Sequence, residues 1–129
     1  MTTEYSELPL VYSCSGCSSA AQMANDLAVS LDRDATAEMS CIAGVGGDVG
    51  PLVHTAKSGR QIVVIDGCPL ECAKHCLEQH DVSPDLHYEL SREGVSKEYH
   101  AEYDEKEAVE LRKRLTEDIH ELAEPPSVR

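Results

Sequence analysis

Apolar positions along the chain fall into two rhythms that take turns, short continuous runs and stripes of helical period. Residues 8–13, LPLVYS, are short, apolar and β-prone, and predict a first strand. The spacing that follows predicts a helix with Ala20, Ala24, Leu27, Ala28 and Leu31 on one stripe. Ser19 and Gln22 stand at capping-box spacing at its start. Residues 37–43, AEMSCIA, predict a second strand, and GVGGDVGP after it reads as a glycine-rich turn. A short helix is expected over about 51–57, with Pro51 at its first position and Gly59 after its end. Residues 61–65, QIVVI, form the clearest strand, apolar enough to be buried on both faces. Asp66-Gly67 turns the chain, and Pro69 is expected to open a helix that runs to about Gln79. A fourth strand is expected over 86–90, LHYEL, with a turn at Glu93-Gly94 in the irregular stretch beyond it. The last helix is long, starts at the Asp104/Glu107 capping box, and carries Ala108, Leu111, Leu115, Ile119 and Leu122 as its apolar stripe.

Strands alternating with helices through short turns predict an α/β fold, a mostly parallel sheet of about four strands between two helical layers. The 129 residues suit a single domain over 1–129, with residues 124–129 as a frayed tail. The core has no Phe or Trp to draw on, so it must be built from Leu, Val, Ile, Met and Ala.

Charge narrows the set of partners. Twenty-four acidic residues against 11 basic ones give a formal net charge of −13. Such a surface repels phosphate backbones, which argues against nucleic acid and anionic membrane as partners. It leaves room for a protein partner with a basic surface, and the oligomeric state is not fixed by the sequence. The N-terminus has neither the basic region nor the apolar region of a signal peptide, and no run approaches the length of a membrane span. The expected location is the cytoplasm, where thiols stay reduced. Six cysteines in that setting point to metal or redox chemistry rather than to disulfides.

The cysteines follow the strands. Cys14 comes after the first, Cys41 near the end of the second and Cys68 after the third. Right-handed crossovers place those strand ends along one edge, where α/β sheets bind ligands. The simplest convergence puts the first strand between the second and third, giving the order 2-1-3-4. With the helix starting at Pro69, Cys68 caps it and Cys72 lies one turn in, close enough for both to reach one ion. Cys76 is a further turn away, about 12 Å from Cys68, and reads as a buried apolar side chain. Cys14 and Cys17 make a C-x-x-C, which suits metal binding or thiol redox chemistry.

Three stretches, "YSCSGCSSAAQMAN", "MSCIAGVGG" and "VIDGCPLECAKHCLE", carry a family resemblance. Together they resemble the DGC-domain family of zinc-binding proteins, named for the triplet Asp66-Gly67-Cys68, over about residues 11–97. The positions that look shared are Cys14, Gly16, Cys41, Gly44, Gly46, Gly47, Asp66, Gly67, Cys68, Pro69 and Cys72. The resemblance implies a zinc site and no particular reaction.

Other groups read more plainly. AGVGGDVG lacks the Gly-Lys-Ser/Thr ending of a phosphate loop and is taken as a tight turn. Asp66 is taken as a structural turn residue. His75 and His80 are taken as exposed histidines, and His54 as the best placed of the six to reach the site edge. No catalytic residue is assigned. The leading expectation is one Zn2+ held by four of Cys14, Cys17, Cys41, Cys68 and Cys72. The alternative is a cysteine-based redox or sulfur-transfer enzyme with Cys14 or Cys68 as nucleophile. A second alternative is an iron–sulfur cluster on the same thiolates.

Overall fold

The apolar run IVVI over residues 62–65, with Asp66 at its end, forms one of the two inner strands of a four-stranded parallel sheet. The computed structural model describes residues 4–123, so the expected frayed tail over 124–129 lies outside the described residues. The strands are β1 (Leu10–Ser13), β2 (Glu38–Met39), β3 (Ile62–Asp66) and β4 (Leu86–Glu89). They lie in the order β2-β1-β3-β4, the arrangement expected as the simplest convergence of the cysteines. The register sets Leu10 against Ile62, Ser13 against Ile65, and Asp66 against Glu89. All strand pairs are parallel, so every strand ends at the same edge.

Alternation along β1 and β3 divides the core into two clusters, one on each face of the sheet. Val11, Val63 and Ile65 pack with helices α1 (Ser19–Arg33) and α5 (Glu105–Ala123). Leu10, Tyr12, Ile62 and Val64 pack on the other face against α2 (Ile42–Gly46), α3 (Gly50–Ala56) and α4 (Cys72–Glu78). The α1 stripe is buried as expected. On α5, Leu111, Leu115 and Ile119 are buried, and Ala108 and Leu122 are partly covered. Asp104 caps α5 by accepting from the amides of Lys106 and Glu107.

Three expectations about local structure are corrected. The second strand is only Glu38–Met39 rather than 37–43, because the chain leaves the sheet after the Ser40 amide bonds the Val11 carbonyl and Cys41 becomes the N-cap of α2. Two of the glycines expected in a turn lie inside that helix. A Cβ on Gly44 would strike Leu52 of α3, and one on Gly46 would come within 2.9 Å of the Cys76 sulfur on α4. Close helix packing therefore outweighs the poor helix propensity of glycine here. The N-cap of α1 is Ser18, not Ser19; its hydroxyl accepts from the Ala21 amide at 3.1 Å. Gln22 reaches back to the Gly16 carbonyl instead of completing a capping box.

Beyond β4, a 3-10 turn (Leu90–Glu93) ends at Gly94, whose φ of +87° demands glycine. Residues 96–99 then pass over the start of α1. Ser19 and Glu98 exchange backbone and side-chain hydrogen bonds, and Ser18 bridges Tyr99. This strap brings Lys97 to the edge of the sheet that carries the cysteines.

Candidate functional site

Asp66, the last residue of β3, organises the edge. Its side chain is 1 % exposed. One carboxylate oxygen accepts from the Ala73 amide at 2.9 Å, and the other from the Lys74 amide at 3.3 Å and from His87 Nε2 at 2.9 Å. It is thus the cap of α4, acting from six residues upstream of Cys72. This corrects the expected helix start at Pro69. Residues 69 and 70 form a turn in which the Glu71 amide bonds the Cys68 carbonyl at 3.1 Å, and Glu71 sits left-handed at φ 51°. Cys68 therefore lies in the turn rather than capping α4, and Cys72 opens the helix.

Gly67 has no room for a side chain. A Cβ there would lie 2.8–2.9 Å from backbone atoms of Ala20 and Ala21, so the Asp-Gly-Cys turn runs hard against the first turn of α1. In that position the Gly67 amide donates to Cys14 Sγ at 3.1 Å. Burial pushes the Cys14 thiol up to about 11, opposed by the Gly67 amide and reinforced by the nearby negative charges of Asp66, Cys68 and Cys72.

Cys14, Cys68 and Cys72 therefore share one electrostatic neighbourhood. The Lys97 ammonium stands 3.5 Å from Cys68 Sγ. Cys17 is exposed just before the α1 N-cap, and Cys41 is exposed as the N-cap of α2. All six cysteines are free. Cys76 is half-buried against Gly46, and burial raises its thiol, helped by the Cys72 and Asp66 charges. In kind these donors suit zinc, which favours thiolates. Among the described residues, no three Cys, His, Asp or Glu side chains stand together as a group able to hold an ion.

The histidines are arranged differently from expectation. His75 is exposed and faces Glu78, and His54 is exposed on α3. His80 is not exposed; it meets the Val45 carbonyl and Asp48 at 3.0 Å each and ties the end of α4 to α2. His87 has no motif spacing to any cysteine, since it lies in β4 and reaches the edge only through the sheet. The parallel register pairs it with Val64, which sets it on the same face of the sheet as Asp66, two residues on. Lys97 had no signal in the sequence, since only the strap over α1 brings it to Cys68.

The DGC domain matches residues 10–115 of the chain. This chain belongs to the DGC-domain family. The match starts at β1 and ends at the buried Leu115 of α5, so it takes in the sheet and both helical layers. A relative, the anaerobic and virulence modulator AnvM of Pseudomonas aeruginosa, is 58% identical over 113 residues, covering 84% of this chain and 86% of its own. No solved structure matches the chain. The triplet for which the DGC family is named contains the α4 cap, the glycine packed on α1 and the cysteine beside Lys97. No described helix is long and apolar enough to cross a membrane.

Proposed function

We propose that this DGC-domain protein binds one thiophilic metal ion, zinc by preference, through cysteine thiolates at the carboxyl edge of its sheet. Cys14, Cys68 and Cys72 are the core of the donor set, and Cys17 or Cys41 completes it. The observation that carries this reading is the seating of Cys14 Sγ against the Gly67 amide, at the base of the turn that bears Cys68. Cys17, Cys41 and Cys72 lie at helix starts. Such segments can adjust to a metal while the sheet stays fixed. Zinc held by four thiolates is redox-silent and structural; with an open position it would act as a Lewis acid. The relative named as a modulator supports a regulatory use of the site over metabolic turnover. Six free thiols suit a cytoplasmic protein.

A second reading, cysteine-based redox or sulfur-transfer chemistry, is favoured by the Lys97 ammonium beside Cys68, because a neighbouring cation is a mark of reactive cysteines. The deciding experiment is metal content with a visible spectrum, on protein purified without oxygen or chelator. One equivalent of zinc and no colour is the expected result. Brown protein with iron and sulfide would mean a cluster on the same thiolates. Metal-free protein with one fast-alkylating cysteine would favour the thiol enzyme.

A further inference from the structure

We infer that His87 is the positioning residue of the cysteine site, clamping the turn that carries Cys68 and leads into Cys72. The inference deepens the metal-binding reading and rests on it for the identity of the ligand, though not for the clamp itself. His87 lies in β4, the edge strand, with only 18 % of its side chain exposed. Both of its ring nitrogens face carboxylates at the two ends of the turn. Nε2 is 2.9 Å from Asp66 Oδ2, before the turn, and Nδ1 is 3.6 Å from Glu71 Oε2, after it. Asp66 as a carboxylate can only accept, so Nε2 carries the hydrogen.

The first half of the turn is held by Gly67, packed on α1 and bonded to Cys14, and by Lys97 beside Cys68; the second half, toward Glu71, has fewer contacts. Leu70 is 64 % exposed, and within the turn the Glu71 amide bonds the Cys68 carbonyl. Glu71 is left-handed, a conformation unfavourable to a residue with a side chain, so its surroundings must impose it. His87 contributes to that constraint through its bond to Asp66, from a rigid strand, with Glu71 packed beside the ring. Through Asp66 it also holds the amides of Ala73 and Lys74, which follow Cys72 directly. Groups that fix a ligand-bearing segment in this way set metal affinity, because a loose segment must be ordered on binding.

The test compares wild type with His87→Ala, His87→Gln and Cys68→Ser in the full chain. Zinc affinity is read by competition with a chromophoric chelator, and amide hydrogen exchange is read on the metal-free protein. His87→Ala is expected to weaken zinc binding about 10- to 100-fold. It should speed exchange of the Glu71, Ala73 and Lys74 amides about tenfold or more, with β1 and β3 amides unchanged. His87→Gln keeps a donor for Asp66 and should recover most of both effects. If Cys68→Ser loses zinc while His87→Ala binds and exchanges like wild type, the clamp is wrong and the metal reading stands. If wild type binds no zinc but His87→Ala still loosens those three amides selectively, the metal reading fails and the clamp stands. Uniformly faster exchange across the sheet in His87→Ala would overturn the clamp, since the residue would then be only a part of the core.

Discussion

Gly67 separates Cys14 from the other five cysteines. Its missing side chain lets the turn after β3 press on α1, and its amide then meets the Cys14 sulfur. Because the atoms a Cβ would strike are backbone, no side chain can rotate away. Gly67→Ala should therefore cost about 1–3 kcal/mol, read as a lowered urea midpoint with an unchanged slope. The Cys14 thiol carries a second consequence. Its proton is held more tightly in the folded chain, with the pKa raised from 9.0 to about 11. Between those values the folded state binds more protons than the unfolded one, so stability falls as pH rises. The contribution is complete below 9.0 and is lost as pH climbs through about 11. In metal-free protein Cys14 should be the slowest of the six to alkylate near neutral pH, as mapped by mass spectrometry. A Cys14→Ser variant should show a flatter decline in its alkaline urea midpoint. A Cys14 that alkylates as fast as Cys17 near neutral pH would contradict its burial.

At the scale of elements, the starts of the helices are fixed by side chains that sequence spacing does not reveal. Asp66 caps α4 across the whole Asp-Gly-Cys turn, so a proline that looked like a helix opener lies in that turn instead. Asp66→Ala strands the amides of Ala73 and Lys74 and the His87 ring. It should cost about 3 kcal/mol and fray the first turn of α4, visible as lost helical circular dichroism. The α2 helix is a related case. Gly46→Ala should be destabilising because of Cys76, and adding Cys76→Ala should recover much of the loss, a coupling that a double-mutant cycle measures. Absence of coupling would show that α2 shifts instead. These residues also mark where the sequence was legible. The strand order could be read because β3 is continuously apolar and the cysteines follow the strands. The stripes of α1 and α5 could be read because their period is regular. The α2 helix could not, since its glycines are allowed by Leu52 and Cys76 rather than by their own propensity. His87 and Lys97 could not, since each reaches the site only through the register of β4 or the strap beyond it.

For the whole molecule, the question is whether the fold depends on a metal. Two apolar clusters, one on each face of the sheet, have no cysteine among their buried members, and of the six cysteines Cys14 packs against both from the edge. The α1/α5 cluster alone gathers Met23, Leu27, Leu31, Val63, Ile65, Leu115 and Ile119 among its buried members. A chain built this way should stay folded after chelation, unlike a small zinc finger, whose fold is its metal. Zinc should nevertheless stabilise it by mass action, by about 2.7 kcal/mol at a free concentration one hundred times the dissociation constant. For a chain of this size that corresponds to a melting temperature higher by about 10 °C. The measurement is thermal unfolding with zinc, without zinc and after chelation, followed by circular dichroism. The expected pattern is a single transition that moves up with zinc and a far-ultraviolet spectrum that hardly changes between the states. Loss of the spectrum on chelation would mean that the two clusters cannot hold the sheet alone. A transition indifferent to zinc would mean that the edge cysteines serve thiol chemistry, with Lys97 beside Cys68 as the place to look for it.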